Sequence, residues 1–206
     1  MKPLRGYNEA SINMGGVPAG GYVIRIQGAE EVQTQSAHYL KIMYDIVEGE
    51  YKDYYTRDWK AQGNNPERKW HGFINIFIPD ESSEYYNSNL RRFKTTMWNI
   101  EQSNNGYQFN FDERTLKGKI CGILYRDEDW TNSQGQVVCT AKPYIIVQAD
   151  KIRDGEFTVP EKKELAKKDR GTLGMFPKAP ENPAGYMPDG FSVIDEAIEN
   201  DDDLPF

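Results

Sequence analysis

GGYVIRIQG, at Gly20–Gly28, and HYLKIMYDIV, at His38–Val47, alternate apolar and polar side chains. Alternation with a period of two places the apolar side chains on one face of a β-strand. The two stretches therefore predict neighbouring half-buried strands, on which the rest of the fold is built. The side chains expected to face inward are Tyr22, Ile24, Ile26, Leu40, Ile42, Tyr44 and Ile46, whereas Val23, Arg25, Gln27, Lys41, Met43 and Asp45 point away.

The next segments predict two more strands and a helix. Tyr51–Trp59 is rich in aromatic residues and is interpreted as a third strand. Trp70–Ile78 is an apolar run with β-branched residues, and it predicts a strand or a continuation of that third strand. Apolar residues recur at helical spacing through Ser83–Ser103, and Gly106 lies in the sequence that ends this predicted helix. The helical stripe comprises Tyr86, Leu90, Phe93, Met97 and Ile100.

The second half of the chain predicts a hairpin. Leu116–Arg126 and Gln136–Ala149 are the two expected strands, and Asn132–Gly135 has the composition of the turn between them. Pro143 has no backbone N–H, so it requires an edge position or a bulge. Thr158–Lys168 predicts a short charged helix.

Three strands, a helix and two strands follow each other in the order of the OB-fold. That fold is a five-stranded Greek-key barrel, here with the helix between its third and fourth strands. The sequence therefore predicts a mainly β protein with a helical insert. Mixed α+β folds have the same order of elements and remain the alternative.

The negative charge of the chain is concentrated at its C-terminal end. Asp189–Phe206 contains seven acidic residues and no basic one, while the formal net charge of the whole chain is -7, so residues 1–188 sum to zero. Like charges repel, so this stretch predicts a disordered acidic tail. Residues 171–190 are rich in Gly, Pro and Asn and predict a flexible linker. We therefore expect an OB-fold domain at residues 1–170 and a linker with a protein-interaction tail at residues 171–206.

Basic and aromatic residues are interleaved on both sides of one predicted loop. Tyr54–Lys60 and Arg68–His71 flank the loop Ala61–Arg68. Single-stranded DNA is held by base stacking on aromatic rings and by basic groups that contact phosphates. The alternative for each ring is a place in the core. The candidate nucleic-acid-binding residues are Tyr54, Tyr55, Arg57, Trp59, Lys60, Lys69 and Trp70, with Arg25 and Lys41 on neighbouring strands and Arg126, Trp130 and Lys142 near the hairpin.

Catalytic and metal-binding motifs receive little support. The chain has no CxxC, HExxH, Walker or GxSxG motif. Cys121, Cys139, His38 and His71 lack the paired spacing of a zinc site, and the two thiols are expected to be reduced. The run Asp127–Asp129 could belong to a metal-dependent nuclease, but beside a turn it is typical of a solvated loop. We expect no cofactor, no metal and no enzymatic activity.

The last six residues resemble the C-terminal tip of bacterial single-stranded DNA-binding proteins. They read Asp-Asp-Asp-Leu-Pro-Phe and end the chain, as the tip does in that family. The resemblance implies that the tip recruits replication and recombination proteins while the globular part holds DNA. The partner-binding residues implied are Asp201, Asp202, Asp203, Leu204, Pro205 and Phe206. A tail that serves only solubility is the alternative.

Three further motifs resemble a family of single-stranded DNA-binding or uncharacterised proteins from phages of Gram-positive bacteria. They are Pro18–Tyr22, Tyr44–Glu50 and Ile152–Pro160, and the likeness runs over about residues 18–165. The core does not resemble that of the bacterial proteins, so the tip would be convergent or borrowed. The resemblance implies a phage-encoded protein that acts in the host cytoplasm.

Taken together, the residues and the resemblances predict sequence-independent binding of single-stranded DNA in phage replication or recombination. Partner proteins would bind the tip, no membrane would be involved, and a homo-oligomer is possible. Two alternatives stay open. One is an accessory module that binds only proteins, and the other is a nuclease or another nucleic-acid enzyme.

Overall fold

Five antiparallel strands form one sheet in a computed structural model that describes residues 16–35 and 37–165. The strands lie in the order β3-β2-β1-β4-β5, and the described chain is mainly β with a few helices. The strands are β1 (Gly20–Gln33), β2 (His38–Ile46), β3 (Phe73–Phe77), β4 (Ile120–Thr131) and β5 (Val137–Val147). The helices are α1 (Tyr54–Ala61), α2 (Tyr86–Gln102) and α3 (Ala149–Arg153), with a 3-10 turn at Glu113–Leu116.

The alternation in the first two strands has its predicted effect. Ile24, Ile42 and Ile46 are fully buried, and their strands pair in antiparallel register with Ile24 opposite Ile46. Val23, Met43 and Asp45 were expected to point away from this face, but all three are buried as well. Asp45 is covered because the first turn of α1 lies against its carboxylate. The face of β2 that was expected to meet solvent is therefore partly buried.

The prediction of a strand at Tyr51–Trp59 is wrong, because the segment turns and then forms α1. The Asp45 carboxylate accepts hydrogen bonds from the backbone N–H groups of Tyr55 and Thr56, each at 3.0 Å. These amides have no acceptor inside the helix, so the buried Asp45 carboxylate caps the helix. Asp53 adopts the left-handed region at φ 58 and reverses the chain before the helix. A partner distant in sequence thus overrides the β propensity of the aromatic residues.

The hairpin turn and the long helix are confirmed, but the predicted helical stripe is only partly buried, since Leu90 is 40% exposed. In the turn, Gly135 has a φ of 74 and Asn132 pairs with Gln136. β5 is an edge strand, and its register shifts between the pairs Tyr125–Pro143 and Leu124–Ile145, which makes Tyr144 the extra residue of a bulge. Pro143 therefore satisfies both of the requirements expected of it. In α2 the inner stripe is anchored by the buried side chains of Met97 and Ile100.

Two predicted boundaries need correction. The strand expected at Leu116 begins at Ile120, because Asp112 caps a 3-10 turn over Glu113–Leu116. Residues 158–165 contain no helix, and residues 166–168 lie outside the described part of the chain. Instead, Lys163 pairs in parallel with Glu128 on the part of β4 that extends beyond β1. Because β1 does not reach this part of β4, the backbone groups of β4 are available to pair with the segment around Lys163. The sequence of that segment does not reveal this partner.

The two outer strands approach each other although the sheet is open. Residues of β3 and β5 come within 8 Å of one another between Cα atoms, and α2 contacts both strands. One side-chain contact fixes the helix there, since Asn99 of α2 donates a 2.9 Å hydrogen bond to the carbonyl oxygen of Ile146 in β5. The predicted linker at residues 171–190 and the acidic tail lie outside the described residues.

Candidate nucleic-acid interface

The two interleaved segments meet in a tryptophan cluster, formed by Trp59, Arg68 and Trp70. The indole rings of Trp59 and Trp70 have centroids 6.2 Å apart. The Arg68 guanidinium lies 4.3 Å from the centroid of the Trp59 ring, within the range of a cation–π contact. The cluster brings together an aromatic platform and a cation, which are the two groups that a stacked base and its phosphate require.

Trp70 is the member of this cluster that is held in place by the fold. Its Nε1–H donates to the carbonyl oxygens of Tyr44 at 3.2 Å and Gly72 at 3.0 Å. Its ring is partly buried against the hydrophobic core. A Cβ at Gly72 would overlap the Tyr44 carbonyl and lie 2.6 Å from the Tyr55 ring, so glycine permits this close packing. Trp59 therefore rests on a fixed neighbour.

The loop that carries the basic residues is held in place by one side chain. Gln62 accepts a 2.8 Å hydrogen bond from the backbone N–H of Lys69 and donates a 2.9 Å bond to the carbonyl oxygen of Lys69. The Arg57, Lys60 and Lys69 side chains, on the same two interleaved segments, are exposed. The basic side chains are thus positioned by α1 and by a loop that Gln62 holds in place.

The two candidate tyrosines of α1 have different surroundings. Tyr55 is buried, with its hydroxyl oxygen 2.6 Å from that of Tyr125, which lies 2.5 Å from that of Tyr44. Burial raises the pKa of Tyr55 to about 12, so the group stays protonated at neutral pH. Tyr55 is therefore a core residue and leaves the candidate surface. Tyr54 is only partly buried and packs edge-on against Tyr55, with centroids 5.2 Å apart.

A second group of cations and rings lies on the β4–β5 hairpin. The Arg126 guanidinium is 4.0 Å from the centroid of the Tyr144 ring, and Lys142 Nζ is 5.9 Å from that of Trp130. Trp130 is 39% exposed and donates from Nε1 to Thr140 at 2.9 Å. We call these four residues, Arg126, Trp130, Lys142 and Tyr144, the hairpin cluster. All three of the hairpin residues expected from the sequence belong to it, but the Arg126 side chain is only 14% exposed and pairs with Glu128 at 2.9 Å, so it is a weak phosphate contact.

Arg25 and Lys41 do not join either cluster. Arg25 is exposed on β1, opposite Asp45 of β2. The Lys41 side chain is only 12% exposed, with Nζ 3.8 Å from a Glu30 carboxylate oxygen and 5.4 Å from the Phe73 ring centroid. The Glu30 carboxylate offsets the charge of Lys41, so Lys41 is a weak phosphate contact.

The histidines and cysteines of the chain, whose spacing in the sequence argued against a zinc site, have separate surroundings. His38 and His71 pair with Glu31 and Asp58 at 2.6 and 2.7 Å. Burial raises the pKa of the Cys121 thiol, which keeps it protonated and a poor ligand. Both cysteines are unbridged, and Glu128 forms an ion pair with Arg126. Across residues 16–35 and 37–165, no three His, Cys, Asp or Glu side chains are grouped to hold a metal ion.

Several exposed or stacked side chains were missed from the sequence. Tyr144 is one, because only the bulge at Pro143 brings it beneath Arg126. Arg92 of α2 is another, with its guanidinium 5.8 Å from the Tyr144 ring centroid. Phe111 is 86% exposed and has a φ of 63. The sequence Asn-Phe-Asp favours a turn. No local pattern, however, predicted that Phe111 would be exposed with a left-handed backbone.

The comparisons with known protein families and with curated proteins give no match to this chain. No helix in the described part of the chain is both long and apolar enough to cross a membrane. The tip residues Asp201, Asp202, Asp203, Leu204, Pro205 and Phe206 lie outside the described residues.

Proposed function

We propose that this protein binds single-stranded DNA without strong sequence preference, through the tryptophan cluster and the hairpin cluster. The single observation that carries the proposal is the contact of Trp59 with Trp70 and Arg68, on two segments that also expose Arg57, Lys60 and Lys69. Each base stacked on an aromatic ring contributes about 1–3 kcal/mol and needs no particular base identity. A duplex keeps its bases stacked on each other and would not use the rings.

The strand arrangement supports an OB-fold as the framework of this site. The order β3-β2-β1-β4-β5, with the outer strands within 8 Å, is that of a five-stranded barrel opened between β3 and β5. OB-folds bind oligonucleotides at one face of the barrel and at loops that include the connection between the fourth and fifth strands. In this chain that connection is the β4–β5 hairpin, which carries Trp130 and Lys142.

The charge distribution supports a division of roles along the chain. Residues 1–188 have no net charge, so local groups of cations can attract phosphate although the whole protein is acidic. The acidic tip, which resembles that of bacterial single-stranded DNA-binding proteins, would recruit replication or recombination proteins. Such a protein, if phage-encoded, acts in the host cytoplasm and needs no cofactor for binding.

A gel shift with a labelled dT oligonucleotide tests the proposal. Wild-type protein should shift the oligonucleotide, and Arg68→Ala should weaken the shift, while Glu67→Ala at the neighbouring exposed position should not. The same oligonucleotide incubated with Mg²⁺ or Mn²⁺ should stay intact. Cleavage would favour the nuclease alternative, and a protein that fails to shift any single strand would refute the proposal.

A further inference from the structure

A small pocket lies between α1 and the inner side of the β4–β5 hairpin. Its volume is about 200 Å³. Its apolar walls include Tyr54 and Tyr55 on the helix side and Tyr125 and Pro143 on the strand side. Pockets for drug-sized ligands have volumes of roughly 300–1,000 Å³, so this pocket suits a smaller group.

Two polar side chains, Asp58 and His71, also line the pocket. Asp58 Oδ2 lies 2.7 Å from His71 Nδ1 and accepts a 3.1 Å hydrogen bond from Gln62 Nε2. A carboxylate only accepts, so Nδ1 of His71 carries the hydrogen of this bond. No residue that the structure describes donates to Asp58 Oδ1. The pocket therefore offers its ligand hydrogen-bond acceptors.

We propose that this pocket takes one base of the bound strand and prefers a base with an exocyclic amino group to thymine. The inference rests on the proposed function. Adenine, cytosine and guanine each present an N–H₂ group to an acceptor. Thymine presents two carbonyl oxygens beside its single ring N–H, and these oxygens would face the Asp58 carboxylate.

The position of the pocket supports a base as the occupant. Asp58 and His71, which line the pocket together with Ala141, immediately precede or follow the two rings of the tryptophan cluster, since Asp58 adjoins Trp59 and His71 adjoins Trp70 in the chain. A strand that stacks on the tryptophan cluster would therefore pass close to the pocket. The Asp58 carboxylate repels phosphate, so a base, and not the backbone, is the part of the strand that enters.

Competition binding with two oligonucleotides tests the inference on the full-length protein. The alternating strand d(TC)6 offers an amino-bearing base in every register, whereas dT12 offers none. We expect d(TC)6 to bind on the order of tenfold more tightly, the effect of one hydrogen bond to a charged group. Asp58→Asn should reduce the ratio of affinities to about twofold or less, because the amide loses the charge and can donate to a carbonyl oxygen.

Two more variants separate the pocket from general effects. Asp53→Asn removes the same charge at the start of the same helix, where the Asp53 side chain makes no capping hydrogen bond, and it should keep the preference. Ala141→Leu fills the pocket and should abolish the preference even if Asp58→Asn folds poorly. Equal affinity of wild type for the two strands, or a preference that survives both pocket variants, would overturn the inference and leave the proposed function standing. Displacement of d(TC)6 by micromolar free dCMP would assign the pocket to a free nucleotide and also overturn it. Failure to bind either strand would remove both proposals.

Discussion

Trp59 is the side chain on which the proposed contact with DNA depends most. Its ring is partly exposed and carries the Arg68 guanidinium. Trp59→Ala should therefore lower the affinity for a dT oligonucleotide by about 1–3 kcal/mol, the contribution of one stacked base. The melting temperature should change little, and both quantities can be followed by titration and by circular dichroism. Unchanged affinity in a folded Trp59→Ala protein would contradict a stacking role.

Trp70 should respond differently, because it supports the fold as well as the cluster. Trp70→Ala removes a ring packed on the core and should reduce the free energy of unfolding by roughly 3 kcal/mol. Trp70→Phe is the matched control: it keeps an aromatic ring but loses the donor to Tyr44 and Gly72, which costs about 1 kcal/mol. Chemical denaturation of the three proteins measures these differences. Equal stability of all three would place Trp70 outside the structural framework.

The β4–β5 hairpin is the element that should contribute phosphate contacts away from α1. Lys142→Ala should weaken single-strand binding and reduce the slope of log K against log salt by about 0.7, since one phosphate contact is lost. Lys117→Ala is the control, because Lys117 is exposed just before the opposite end of β4. Binding isotherms at four salt concentrations give both slopes. A Lys142→Ala slope equal to that of wild type would exclude this lysine from the phosphate track.

Local sequence patterns predicted those elements that are determined by residues close together in the sequence. β1 and β2 follow from strict alternation, and Pro143 indicated its own bulge. α1 could not be predicted, because the acceptor for its first amides is the distant Asp45 carboxylate. The extended segment around Lys163 likewise depends on the free edge of β4.

The sequence likewise predicted only part of the candidate site. The sequence placed Trp59 and Trp70 on either side of one loop, and the structure brings their rings together. It did not separate Tyr55, which is in the core, from Tyr54, since both rings belong to one aromatic run. Tyr144 and Arg92 were missed because a bulge in β5 and the packing of α2 create their contact. Long-range packing decides which of several similar rings faces solvent.

The distribution of charge over the chain leads to a prediction for the tail. Deletion of Asp201–Phe206 should leave single-strand affinity unchanged or tighten it, because a tethered polyanion competes with DNA for the same cations. The same deletion should abolish capture of a replication protein from host lysate. Phe206→Ala is the finer variant, since it removes the aromatic ring of the tip and keeps its acidic residues. Loss of DNA affinity on deletion, or identical captured proteins for all three forms, would reduce the tail to a solubility device.

The central claim is that the protein binds single strands by combining stacking with phosphate contacts. Titration of its tryptophan fluorescence with poly-dT and with a blunt duplex, each over a salt series, tests this most directly. Poly-dT should quench the fluorescence, and its affinity should fall with salt at about 0.7 log units per phosphate contact for each tenfold rise in concentration. The duplex should bind much more weakly at every salt concentration. Equal affinity for duplex and single strand, or no quenching by poly-dT, would contradict the account.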